Sequence, residues 1–102
     1  MGLGYALTEE LQLDDGRVIN AEFSDYGIPV AQQVPPIKTI FLESLLPSGP
    51  FGAKGIGEIG LFGIAPAIAN ALQNACGVRI TELPLRPERV LTALEARGEV
   101  KA

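Results

Sequence analysis

Between Leu46 and Gly60, seven of fifteen residues are glycine or proline: Pro47, Gly49, Pro50, Gly52, Gly55, Gly57 and Gly60. In that stretch only Lys54 and Glu58 carry charge. Proline removes donors and glycine weakens both helix and strand, so this part of the chain is a loop. With few side chains in the way, its backbone can come close to another molecule. The remaining structure must be arranged on either side of it.

On the N-terminal side, residues 1–7 are apolar, with Gly2, Gly4 and no capping residue ahead of them. They read as the tail of a helix whose start is missing. Residues 11–13 and 17–23 are strand-like runs flanking Asp14-Asp15-Gly16, and Asp-Gly between such runs signals a hairpin. Asp25, Gly27 and Pro29 break the pattern, as do Val34-Pro35-Pro36. Residues 37–43 then alternate apolar and polar side chains well enough to predict a third strand.

On the C-terminal side, a helix fits residues 64 or 65 to 75, with Pro66 in its first turn and Gly77 at its end. Apolar around most of its circumference, it is expected to be buried. Residues 78–83 alternate Val, Ile and Leu against Arg, Thr and Glu as a fourth strand, and 87–97 form an amphipathic helix closed by Gly98. The expected fold class is α+β, a small antiparallel sheet with two helices, in a single domain or segment covering residues 1–102.

Composition narrows the chemistry. The 102 residues include one cysteine and no histidine. An intramolecular disulfide, a cysteine-ligated iron–sulfur cluster, the usual zinc sites and the Ser-His-Asp or Cys-His constellations are therefore beyond this chain alone. Cys76, in the last turn of an apolar helix, reads as a small core residue. Chemistry here must rest on carboxylates, lysines or a borrowed cofactor. The net charge is −4, and the 8 basic residues are scattered, which offers no track for a nucleic acid. Residues 1–10 lack a basic stretch followed by an apolar run, as expected of a cytoplasmic chain. The most apolar stretch, 59–72, falls short of the roughly 20 residues of a membrane span and reads as core.

Gly55-Ile-Gly57-Glu-Ile-Gly60 also spells the G-x-G-x-x-G of a dinucleotide-binding turn, with Glu82 roughly where a ribose-binding carboxylate would fall. Two features oppose that reading. The preceding strand ends near 43–45, with Pro47 to Pro50 intervening, whereas the fingerprint turns directly off a strand. Glu58 would also set a negative charge beside the pyrophosphate.

The wording of the stretch is more specific than its glycine spacing. Pro50-Phe-Gly-Ala-Lys-Gly-Ile-Gly-Glu-Ile-Gly-Leu, then Ala65-Pro-Ala-Ile-Ala-Asn-Ala, then Gly77-Val-Arg-Ile-Thr-Glu-Leu-Pro-Leu-Arg-Pro-Glu-Arg-Val resembles the C-terminal segment of the molybdenum-cofactor-binding subunit of the xanthine dehydrogenase and aldehyde oxidase family. The resemblance reaches back through Gly2-Leu-Gly-Tyr-Ala-Leu-Thr-Glu-Glu and Asp25-Tyr-Gly-Ile-Pro, so it covers nearly the whole chain. It implies that Glu58 is the catalytic base and that Gly57 and Lys54 stand at cofactor-binding positions of the loop. It implies no protein ligand to the metal from this chain.

The resemblance further implies a fragment of a molybdopterin-binding domain, with Met1 an internal methionine of a longer chain. Its partners would be the remainder of the molybdenum subunit and iron–sulfur and flavin subunits or domains. Its substrate would be a purine, another heterocycle or an aldehyde. The molybdopterin-type cofactor belongs to the complete assembly, and the isolated chain is expected to hold none and to be inactive. The alternative is a non-catalytic remnant or interaction module that folds alone or as a homo-oligomer, marked by an exposed apolar patch.

Overall fold

The computed structural model describes residues 1–98. In chain order it contains α1 (Gly2–Leu7), β1 (Leu13–Asp14), β2 (Arg17–Val18), α2 (Phe23–Tyr26), a 3₁₀ turn at Ala31–Gln33, another at Pro50–Gly52, α3 (Ile59–Phe62), α4 (Ile64–Cys76) and α5 (Pro87–Ala96). The class is α+β: among the described residues there are one two-stranded antiparallel sheet and five α-helices.

The hairpin forms where the Asp-Gly signal puts it. Leu13 pairs with Val18 and Asp14 with Arg17, leaving Asp15 and Gly16 as a two-residue loop. Both have positive φ, 45° and 77°, the condition for a tight turn that matches strand twist. The base of the hairpin is tied by Asn20, the one buried polar side chain among the described residues. Its Oδ1 accepts from Gln12 N–H at 2.8 Å, and its Nδ2 donates to the carbonyls of Glu10 at 2.7 Å and Asp25 at 3.5 Å.

The core is small. Ala6, Val78 and Leu85 are its buried apolar residues, and the Leu85 N–H donates to the Ala6 carbonyl at 2.6 Å. Helix α1 packs on α4 through Gly2, where an added Cβ would lie 2.6 Å from Ile64 Cδ1. The close approach explains a glycine inside a helix, where it is otherwise unfavourable. The C-terminal helix is anchored to this unit by Glu10, whose carboxylate meets Arg86 Nη2 at 2.9 Å and Arg89 Nη2 at 3.0 Å.

Three local expectations are corrected. Residues 37–43 and 78–83 form no strand, because neither pairs with a neighbouring strand among the described residues. Helix α4 ends on Gly77 in the left-handed conformation, as expected, yet it is not buried. The stripe of Ile64, Ala65, Ile68, Ala69, Leu72, Gln73 and Cys76 is half-covered, and the opposite face meets solvent. Together with α3 it forms an 18-residue window, Ile59–Cys76, of mean hydropathy 1.2, long and apolar enough by composition to cross a membrane, with none of it buried. Asn70, Gln73 and Asn74 lie in the same window.

The molecule is open as well as small-cored. Its radius of gyration is 18.0 Å, against about 13 Å for a compact domain of this length. Its accessible surface is 8378 Å², where a compact monomer of 10.8 kDa would show about 5,500 Å².

Candidate functional site

The glycine-rich loop is built in two stages. Its first half is a closed turn: Leu46 N–H donates to Gly52 O at 3.2 Å, Gly49 N–H to Leu46 O at 2.9 Å, and Gly52 N–H to Gly49 O at 3.0 Å. Phe51 stands at the tip, fully exposed and with φ 54°, a left-handed conformation that bulky residues seldom adopt. A Cβ at Gly49 would lie 2.5 Å from the Ala53 carbonyl, so this closure requires glycine.

The second half, from Lys54 to Glu58, has no such internal bonding. None of its backbone N–H groups donates to another described residue. Added Cβ atoms at Gly55, Gly57 and Gly60 would meet nothing within 4 Å. Glu58 immediately precedes α3, accepts the Leu61 N–H at 2.9 Å through its carbonyl, and holds its carboxylate in solvent without an ion pair or hydrogen bond among the described residues. Lys54 is turned back toward the preceding segment, where its Nζ donates to Ser44 Oγ.

Between this half-loop and residues 40–45 lies a groove of about 660 Å³, lined by Phe41, Leu45, Lys54, Ile56 and Ile59 among others. Lys54 is in its wall, while Gly57 and Glu58 lie just beyond the lining. The three residues picked out by the sequence therefore share one loop, but this chain encloses them on one side only. A cation and a row of unpartnered N–H donors on a backbone stripped of side chains suit a polar, anionic group approaching from outside. The donor set thus fits one wall of a pterin-cofactor site.

Two features away from the loop were not legible in the sequence. Glu10 stands 76 and 79 positions from its arginine partners, and no short-range pattern connects them. Tyr26 lies beside α1 in a groove of about 410 Å³ with Tyr5, Glu9 and Ile64. Partial burial, then the hydrogen bond to the Glu9 carboxylate, raise its phenol above the ordinary value. Among the described residues no cluster of His, Cys, Asp and Glu could hold a metal ion. Cys76 is a free, half-buried thiol that donates to the Leu72 carbonyl at 3.0 Å.

Comparison with known proteins bears on the family of the chain. A family model described as a molybdopterin cofactor-binding domain matches residues 1–35. The aldehyde oxidoreductase molybdenum-binding subunit PaoC of Escherichia coli is 43% identical over 97 residues, which is 92% of this chain and 13% of that protein. A probable xanthine dehydrogenase subunit of Bacillus subtilis is 40% identical over 98 residues, 96% of this chain and 13% of its own length. A 6-hydroxypseudooxynicotine dehydrogenase complex subunit gamma of Paenarthrobacter nicotinovorans is 42% identical over 104 residues, 98% and 13% of the two chains. The chain thus spans about an eighth of the length of these curated relatives. Along nearly all of its 102 residues it belongs to the molybdenum-cofactor-binding subunits of the xanthine dehydrogenase and aldehyde oxidase family.

Proposed function

We propose that this chain supplies the base-bearing loop of a molybdenum hydroxylase that oxidises a heterocycle or an aldehyde. The observation that carries the reading is Glu58: an unpaired carboxylate between glycines, on a backbone open to a neighbouring molecule. When bound, the molybdenum cofactor supplies the two-electron chemistry that carboxylates, lysines and one thiol lack. Glu58 accepts a proton at its carboxylate as an oxygen nucleophile attacks the electron-poor carbon of the substrate. Gly57 lets the cofactor approach the backbone, and Lys54 holds it by charge after leaving Ser44.

The rest of the site comes from the remainder of the molybdenum subunit, and electrons leave to iron–sulfur and flavin partners. The isolated chain, with one wall of the site, binds no cofactor and turns nothing over. A second reading, a non-catalytic remnant that self-associates, is favoured by the same excess of exposed surface. The mass of the purified chain in solution separates the two, because a remnant of that kind is a closed homo-oligomer.

The decisive test is Glu58→Gln in the complete assembly, with rate measured per bound molybdenum. The amide keeps the shape and cannot take the proton, so the loss should reach the roughly 10²–10⁴-fold typical of removing a general base. Lys54→Ala should instead lower cofactor occupancy while filled sites still turn over. A Glu58→Gln enzyme that runs at the parent rate per bound molybdenum would remove the base from this loop.

A further inference from the structure

Residues 37–45 have strand composition, no regular secondary structure and no strand partner among the described residues. None of their backbone N–H or C=O groups is hydrogen-bonded to a described residue. Their apolar side chains are unusually bare: Ile37 is 77% exposed, Ile40 71%, Phe41 72%, Leu42 91% and Leu45 82%. In an extended chain successive side chains alternate between faces, so Ile37, Phe41 and Leu45 lie on one face and Ile40 and Leu42 on the other. The consecutive Ile40, Phe41 and Leu42 break the alternation expected of 37–43 and put apolar side chains on both faces of such a strand, as in a strand that sits between two covering layers.

From this we infer that residues 37–45 are an inserted strand, completed by a sheet edge and the layers covering it in the remainder of the molybdenum-binding subunit. The inference rests on the family reading above. A second copy of this chain is a poorer occupant, since strand-to-strand pairing of two copies would cover one edge and leave both apolar faces in water. The surface in excess of a compact monomer is about 2,800 Å² by the mass scaling, several times the roughly 800 Å² per partner of a standard interface. The covering body is therefore large. The relatives carry the matching segment within chains of which it makes up 13%, so a body of that size is covalently at hand. Main-chain hydrogen bonds to the sheet edge would supply the pairing, and apolar pockets for the alternating side chains the register.

Amide hydrogen exchange tests this in a chimaera, the 43% identical relative with its matching segment replaced by this full chain. Amides 38–45 should exchange at unstructured rates in the isolated chain and be slowed on the order of 10²-fold or more in the chimaera. Ile40→Pro and Phe41→Pro, made separately, remove N–H donors that point to opposite sides of a strand. At least one of them should strip protection from 38–45 while the amides of α4 keep theirs.

A chimaera that folds, with α4 protected but 38–45 exchanging freely, overturns the inserted strand and leaves the family function standing. Protection that neither proline variant disturbs overturns it as well. A chimaera that does not fold overturns both, because the segment then does not fit the subunit. Protection of 38–45 in the isolated chain that rises with concentration overturns it in favour of self-pairing.

Discussion

Replacing Glu10 by Gln removes one negative charge from between two arginines without changing the volume of the side chain. In the native structure its two oxygens meet Arg86 at 2.9 Å and Arg89 at 3.0 Å, with the glutamate side chain 28% and the arginine side chains 33% exposed. In an environment of effective dielectric about 20, a unit pair at about 3 Å is worth about 5.5 kcal/mol, an upper bound for each contact. Partial exposure and the entropy of holding long side chains bring exposed pairs down to roughly 0.2–1 kcal/mol. Charge-assisted hydrogen bonds reach about 1.5–3 kcal/mol and neutral ones about 0.5–1.5. For two contacts at one-third exposure the expected loss is about 1–2 kcal/mol, a roughly five- to thirty-fold change in the folded-to-unfolded ratio. Urea unfolding of the full chain measures it, and exchange of the α5 amides locates it. At 1 M salt the Debye length falls to about 3 Å, so the difference between the two proteins should shrink. A loss under about 0.5 kcal/mol, or one indifferent to salt, would refute the view that this cluster ties α5 to the N-terminal unit.

Other outcomes follow from the same geometry. Asn20→Ala strips the partners of Gln12 N–H and the Glu10 carbonyl and should cost about 2 kcal/mol, read as a fall in melting temperature. Asn20→Asp, which keeps only the acceptor, should not restore it. Gly27→Ala places a Cβ 2.6 Å from the Thr8 carbonyl at φ 90° and should destabilise by about 1–3 kcal/mol. Gly57→Ala meets open space and should leave the melting curve unchanged. Equal losses in the two would contradict the packing described. For Tyr26, whose folded pKa is raised from 10.0, stabilisation is complete below the unfolded value and is lost as pH rises through the folded one. Its phenolate absorbance should therefore appear above pH 10 and later than that of the unfolded chain, and Tyr26→Phe should flatten the fall in stability there.

Turns and helix ends were the legible parts of the fold. Asp15-Gly16 turns the hairpin because aspartate and glycine tolerate positive φ. Gly77 stops α4 in a left-handed cap, and Pro87 begins α5. These are decided within a few residues, so sequence reading reaches them. The loop residues Lys54, Gly57 and Glu58 were picked out for another reason: their wording resembles that of a family. The structure places them on one open half-loop. That residues 37–43 and 78–83 would stay unpaired could not be read in advance, since a strand is a relation to a neighbour rather than a property of seven residues.

Local conformations, the family and the loop on which its chemistry would sit were thus written in the residues themselves, through φ preferences, side-chain periodicity and a distinctive run of amino acids. Long-range contacts had to be seen in the folded chain. Glu10 meets Arg86 and Arg89 there, Asn20 ties the hairpin base, and α4 covers only one face. The apolar side chains of residues 37–45 remain in solvent. The difference is one of range. Backbone preferences act over a few residues, whereas burial and ion pairing require surfaces brought together across the chain, and the apolar segment 37–45 meets no such surface among the described residues.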